Sequence, residues 1–162
     1  MHFTVLYFKE GKKLEDCSKI DIEDDFASKF CYSILEDELL YNEETDDYVE
    51  NPDFKLPEGY VGSVCDWFQV GGRWVDALKA SRGLKGDPSW GFDNFKSPED
   101  GFSVVEIKDV NEDFLKDIDT LLYAIATETE YFENSEEEYD DFITKLKNKE
   151  LNGVVSLIDC HD

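Results

Sequence analysis

Negative charge dominates this sequence: 40 Asp and Glu residues stand against 16 Lys and Arg, a formal net charge of −24 in 162 residues. Like charges repel one another, so this excess works against any compact state. Disordered acidic chains are poor in apolar residues, but here 41% of the residues are hydrophobic and 14% are aromatic. Those residues are sufficient for a core, and the length suits one domain. We therefore expect a single folded domain over residues 1–162 with a strongly acidic surface.

The charge also restricts the partners. Nucleic-acid backbones and the headgroups of anionic lipids are negative, so direct binding to nucleic acid or to a membrane is disfavoured. No stretch of the sequence approaches the roughly 20 apolar residues of a membrane span, and the first residues lack the basic region of a secretory signal. We therefore expect a cytoplasmic protein.

The four cysteines are spaced without a CxxC pair, so the sequence contains neither a zinc-ribbon motif nor a thioredoxin-like motif. We interpret them as buried, reduced thiols. They are Cys17, Cys31, Cys65 and Cys160. The acidic runs also lack the ligand spacing of an EF-hand. The sequence therefore predicts no metal and no cofactor.

Hydrophobic periodicity and turn residues predict strands and helices along the chain. The strands are predicted at residues 2–8, 64–70, 102–107 and 154–158, and the helices at residues 24–39, 110–129 and 136–149. Residues 41–53 are acidic with few apolar side chains, which favours a solvated loop. We predict an α+β fold in which an antiparallel or mixed sheet of about four strands carries two to three helices on one face, with a ferredoxin-like topology.

The acidic residues are concentrated in two segments. Residues 15–53 hold 15 acidic residues against two lysines, and residues 109–141 hold 13 against one, whereas residues 54–108 hold 8 acidic and 7 basic residues. The ordinary interpretation is a solvated helix surface. The alternative is that the helices lie side by side, so that their carboxylates imitate the phosphates of a nucleic acid for a basic partner. The predicted partner-binding residues are Asp21, Glu23, Asp24, Asp25, Glu36, Asp37, Glu43, Glu44, Asp46, Asp47, Glu133, Glu136 and Glu137.

A distinctive nine-residue motif, with the sequence DWFQVGGRW from residue 66 to residue 74, occupies the nearly neutral centre. Paired glycines permit backbone conformations and close approaches that a side chain prevents, so the motif predicts a sharp turn after a strand. It lacks the spacing of a phosphate-binding loop. We interpret it as a rigid aromatic corner, with a ligand pocket as the alternative. The residues concerned are Asp66, Trp67, Gly71, Gly72, Arg73, Trp74 and Trp90.

The string DW-x-x-x-GGRW, the segment Ser89-Trp90-Gly91 and the closing strand that ends in Asp159-Cys160-His161 together resemble a family of small phage and prophage proteins of unassigned function. The resemblance covers mainly the middle third of the chain and its C-terminus. It implies a phage or mobile-element origin and an α+β fold, and it supplies no catalytic residues. A chain of that origin is expected in the cytoplasm of the host cell.

Catalytic groups are sparse. His2-Phe3-Thr4 matches half of the paired HxT signature of two-histidine phosphoesterases, but the sequence contains no second HxT. If the terminal strands pair, Cys160 and His161 approach His2, and a thiolate nucleophile becomes conceivable. A paired general acid and base is not assembled from these residues. We therefore expect no enzyme.

The sequence favours a phage-encoded acidic binding protein that inhibits a basic host protein, such as a defence nuclease or another nucleic-acid-binding protein. An immunity protein that neutralises a cognate basic toxin is one alternative. A small enzyme or nucleotide-binding protein that uses the glycine- and tryptophan-rich centre is another.

Overall fold

The structure is a computed structural model, and it describes residues 1–31, 35–72, 104–110 and 112–162. Eight strands and three α-helices lie in these ranges. In chain order they are β1 (His2–Glu10), α1 (Lys19–Phe30), β2 (Leu39–Asn42), β3 (Asp47–Glu50), β4 (Trp67–Val70), β5 (Val104–Glu106), α2 (Glu112–Leu121), β6 (Ala124–Ala126), β7 (Tyr131–Glu133), α3 (Glu137–Lys147) and β8 (Gly153–His161). The predicted α+β class is confirmed.

The two terminal strands form the centre of the main sheet. β1 and β8 are antiparallel along their whole length, from His2 opposite His161 to Glu10 opposite Gly153. Six consecutive residues of β1 and eight of β8 are buried. Because successive side chains of a strand point to opposite faces, such runs place apolar side chains on both faces of the sheet. Both faces therefore need to be covered by other elements.

Four further strands complete a mixed, six-stranded sheet. β6 pairs in parallel with β1, and β7 continues the sheet antiparallel to β6. β4 and β5 both pair antiparallel with the other edge of β8, one toward each end. The ferredoxin-like topology is not confirmed, because the order of the described elements departs from β-α-β-β-α-β. The main sheet also has six strands instead of about four.

The helices cover both faces of the sheet, so the prediction that they lie on one face is wrong. α1 packs through Ile22, Phe26 and Phe30 in the cluster that contains Val5 and Tyr7. α2 and α3 pack in the other cluster, which contains Leu6 and Phe8 of the same strand. The physical reason is the alternation of β1, which sends consecutive apolar side chains to opposite faces.

Two predicted helices extend too far. α1 begins at Lys19, where a Ser18–Asp21 capping box satisfies backbone donors, and it ends at Phe30. The residues that follow include Leu39, which belongs to β2 instead of the helix. α2 ends at Leu121, and the apolar residue Ile125 that continues its helical spacing lies in β6. In both cases apolar residues of a following strand fall at a helical spacing by coincidence.

The segment 41–53 is not a simple loop, because β2 and β3 form a separate two-stranded antiparallel sheet. The register pairs Tyr41 with Tyr48 and Leu40 with Val49. We call residues 39–50, which comprise β2, the turn and β3, the acidic hairpin. Asp46 has a left-handed backbone conformation with φ 54°, which Asp tolerates better than most residues. The sequence pattern missed these strands because neither has a buried face.

An ion-pair cluster fastens α1 to β1. The carboxylate of Asp25 lies 2.7 Å from Lys29 Nζ and 3.2 Å from Lys9 Nζ, and it accepts a hydrogen bond from the Tyr7 hydroxyl. Burial raises the pKa of Asp25, but the hydrogen bonds from Lys29 and Tyr7 and the charges of both lysines outweigh it and hold the pKa below its ordinary value. Burial and the hydrogen bond to Asp25 raise the pKa of Tyr7, so the phenol stays protonated.

Replacing Asp25 by Asn should lower the free energy of unfolding by about 1–3 kcal/mol at pH 7, because two lysines lose their shared carboxylate. A carboxylate with a lowered folded-state pKa contributes stability above its unfolded pKa, and that contribution is lost as the pH falls through the folded value. The difference between wild type and variant should therefore shrink below about pH 4. Urea denaturation at pH 7 and in acid measures it.

Asp24→Asn is the matched control, since Asp24 is the adjacent residue of α1 and is exposed. It should change the free energy of unfolding by less than about 0.5 kcal/mol. Equal losses in the two variants would show that the Asp25 cluster does not stabilise the contact between α1 and β1.

Candidate functional site

The predicted acidic residues of α1 differ in their surroundings. Asp21 closes the capping box by accepting the Ser18 backbone N–H at 2.8 Å, and this bond lowers its pKa. Glu23 is half-buried and lies 3.9 Å from Lys19 Nζ, whereas Asp24 is exposed. Asp25 is committed to Lys9 and Lys29. The solvent-facing charge of α1 therefore comes mainly from Asp21 and Asp24.

The acidic residues from Glu36 to Asp47 are all exposed in the described part of the chain. Glu36 and Asp37 precede the acidic hairpin, and Glu43, Glu44 and Asp46 lie in its turn, next to Asp47 at the start of β3. The Tyr41 hydroxyl donates a hydrogen bond to the Asp46 carboxylate. The hairpin thus presents a cluster of carboxylates at its tip.

The third predicted group lies where β7 leads into α3. Glu136 and Glu137 are exposed, and Glu133 is half-buried. The Glu136 carboxylate accepts the Glu133 backbone N–H, which ties the turn before α3. Three acidic residues in the first turn of α3 also interact favourably with the helix dipole. Part of the acid in this segment therefore has a structural role.

These groups do not form one surface. α1 belongs to one core cluster and α3 to the other, so their carboxylates lie on opposite faces of the main sheet. The predicted arrangement, in which two acidic helices lie side by side, is therefore wrong. A partner that contacts α1 meets a different acidic surface from one that contacts α3.

A groove of about 640 Å³ lies between the turn after β6 and the side of α3. Its floor includes the rings of Phe8, Phe132 and Phe142. Its acidic lining residues are Glu10, Glu128, Glu130, Glu138 and Asp141, and the lining also includes Lys145. An apolar floor below a mostly acidic rim suits an amphipathic cation, such as the side chain of Lys or Arg. Glu10 was missed from the sequence because it joins the others only through the position of β1.

The central motif packs against β8. The indole of Trp67 stacks on the His161 ring with a centroid separation of 5.0 Å, and the Asp66 backbone N–H donates to the His161 carbonyl at 2.8 Å. The Gly71 N–H donates to the Leu157 carbonyl at 2.8 Å. Gly72 has φ 47°, and a Cβ there would lie 2.6 Å from Asp159 Cβ. The predictions for Arg73, Trp74 and Trp90 concern residues outside the described ranges.

The pairing of the chain ends creates a polar cluster that the sequence did not define. His2 Nδ1 lies 3.3 Å from Asp159 Oδ1, and Asp159 is fully buried. The His2 and His161 rings are 4.9 Å apart, and the Trp67 ring is 5.8 Å from His2. A carboxylate beside an imidazole fixes the orientation and tautomer of the ring. The residues of this cluster come from an HxT sequence at one end of the chain and a DxH sequence at the other. These two sequences lie opposite each other because of the observed strand register.

The histidine and thiol groups of the chain ends lie on opposite faces. Cys160 is opposite Phe3 in the β1–β8 register, and it packs with Cys65 in the core cluster that contains α1. The hydrogen bond with Cys65 and burial raise the pKa of Cys160, so this thiol stays protonated. The thiolate paired with His2 that the sequence made conceivable is therefore not formed.

Within the described ranges, no group of three or more His, Cys, Asp and Glu side chains is placed to hold a metal ion. No helix in that part of the chain is both long enough and apolar enough to cross a membrane. No family model, curated protein or solved structure matches the chain.

The burial of the cysteines predicts their reactivity. Cys17, Cys31, Cys65 and Cys160 are free thiols, and each is at most 3% exposed. Because thiol reagents need access to the sulfur, we expect a disulfide reagent to label none of them rapidly in the folded protein and all four after denaturation. Mass spectrometry of samples quenched at increasing times measures the labelling. Rapid labelling of Cys160 in the folded state would show that the core around β8 is open.

Proposed function

We propose that the chain is an acidic binding protein that inhibits a basic, nucleic-acid-binding protein by covering its nucleic-acid site. The observation that supports the proposal is that most of the predicted acidic side chains are exposed. Ten of the thirteen predicted partner-binding carboxylates are exposed: Asp21, Asp24, Glu36, Asp37, Glu43, Glu44, Asp46, Asp47, Glu136 and Glu137. A net charge of −24 exceeds what solubility alone requires, and it favours encounter with a positively charged protein.

We propose a phage origin for the chain, and this is supported by the resemblance of the DW-x-x-x-GGRW motif to small phage and prophage proteins. A phage origin in turn favours a host protein, such as a defence nuclease, as the target. Inhibition follows from the chemistry of the target. A basic cleft that attracts phosphates also attracts carboxylates, so a bound acidic protein occupies the place of the nucleic acid. Since α1 and α3 lie on opposite faces, we propose that the target contacts one face at a time.

The proposal predicts that binding is sensitive to both salt and nucleic acid. The immobilised chain should capture basic proteins from a host lysate at roughly 0.1 M salt and release them at about 1 M, where the screening length falls from about 10 Å to about 3 Å. An excess of duplex DNA should also release them. Quantitative mass spectrometry of the bound fraction measures both effects, with an uncharged bait of similar size as the control.

Captured proteins that stay bound at high salt and are indifferent to DNA would contradict electrostatic occupation of a nucleic-acid site. A captured set without basic proteins would contradict the proposal as a whole. Capture of one basic toxin would identify the chain as an immunity protein, which uses the same chemistry on a single target.

A further inference from the structure

The acidic hairpin exposes large apolar side chains on both of its faces. The register places Leu39, Tyr41 and Tyr48 on one face and Leu40 and Val49 on the other. All five are between 43% and 64% exposed. Within the described part of the chain, both faces of the hairpin therefore carry exposed apolar side chains.

An isolated two-stranded hairpin is at best marginally stable in water, and exposed apolar clusters rimmed by polar groups are typical of interaction surfaces. Two hydrogen bonds from Asn51 close the base of the hairpin. Asn51, directly after β3, donates its backbone N–H to the Glu38 carbonyl at 3.0 Å and its side-chain amide to the Asp37 carbonyl at 2.8 Å. The rings of Tyr41 and Tyr48 contact each other at 5.4 Å across the two strands. The hairpin is thus a separate two-stranded element whose exposed apolar side chains are available for binding.

The charge of the hairpin selects the partner. Residues 39–50 contain five acidic residues and no basic one. These are Glu43, Glu44, Asp46, Asp47 and Glu50. Pairing with a second copy of this chain would bring two acidic hairpins together, on chains that each carry a net charge of −24. Like-charge repulsion therefore disfavours self-association. A basic surface is complementary to the hairpin.

We infer that the acidic hairpin is the docking element of the protein, and that its partner is a basic protein surface with an apolar strip between its lysines and arginines. In this arrangement the carboxylates of the turn pair with the cations, while the tyrosine and leucine side chains cover the apolar strip. The inference rests on the proposed function, which supplies the basic partner. It adds that the hairpin is the surface that binds this partner and that apolar contacts contribute to the binding.

The exposed fractions of the apolar side chains favour the hairpin over the groove beside α3 as the site of apolar contact. The groove also combines acid with apolar residues, but its floor residues Phe8, Phe132 and Phe142 are at most 9% exposed. The hairpin residues expose several times that fraction. Because the hydrophobic contribution to binding scales with the apolar area removed from water, most of it comes from the hairpin.

Two synthetic peptides of equal length and charge test the inference on the full chain. One alternates Lys with Leu, and the other alternates Lys with Ser. The wild-type chain should bind the Lys–Leu peptide about tenfold more tightly than the Lys–Ser peptide at moderate salt, because only the former covers the hairpin side chains. Fluorescence anisotropy of labelled peptides measures both affinities.

The double variant Leu40→Ser, Tyr48→Ser should lose this tenfold preference. The control variant Ile20→Ser, Leu56→Ser should keep it, since those residues have similar exposures of 64% and 50% but lie outside the hairpin. Circular dichroism confirms that each variant is folded.

Equal affinities of the two peptides for the wild type would overturn the inference while leaving electrostatic binding intact. A preference that survives in the hairpin variant would also overturn it, and would place the apolar contact elsewhere, for example in the groove. Failure of both peptides to bind at low salt would overturn the proposed function itself, and the inference with it.

Discussion

The pairing of β1 with β8 is the interaction on which the rest of the structure depends. Every other strand of the main sheet that the structure describes attaches to this pair, through β6 on one side and through β4 and β5 on the other. It joins opposite ends of the chain, so a large loop has to be closed before the sheet exists. Burial of two continuous apolar strands offsets this cost and the repulsion among the acidic residues.

The sequence predicted the longest apolar elements, but it missed the acidic hairpin and included the buried strand β6 in the preceding helix. β1, β8 and α3 were predicted because their buried residues follow one clear pattern. The sequence predicts a loop for residues 41–53 because they are acidic with few apolar side chains, and it places Leu39 in the preceding helix, whereas Leu39 and residues 41–50 belong to the acidic hairpin. The continuous apolar runs of β1 and β8 indicate that both faces of the sheet are covered, but they do not show which helix covers which face.

The candidate site was predictable as composition but not as geometry. The acidic segments were evident from the sequence, and most of their carboxylates are exposed. Asp25 forms ion pairs with Lys9 and Lys29, and the pair with Lys9 exists only because α1 packs on β1. The placement of His2 beside Asp159 depends on the strand register, which residue spacing alone does not determine. Long-range pairing therefore decides which charges remain available for a partner.

The central claim is that the main sheet is stable and that the acidic hairpin attached to it is only marginally stable. Amide hydrogen exchange, measured residue by residue in the free protein, tests it most directly, because it reports the local free energy of opening. The account predicts that amides of β1 and β8 exchange only through global unfolding, whereas amides of β2 and β3 exchange far faster through local opening. Protection of the hairpin amides equal to that of β1 and β8 would contradict it.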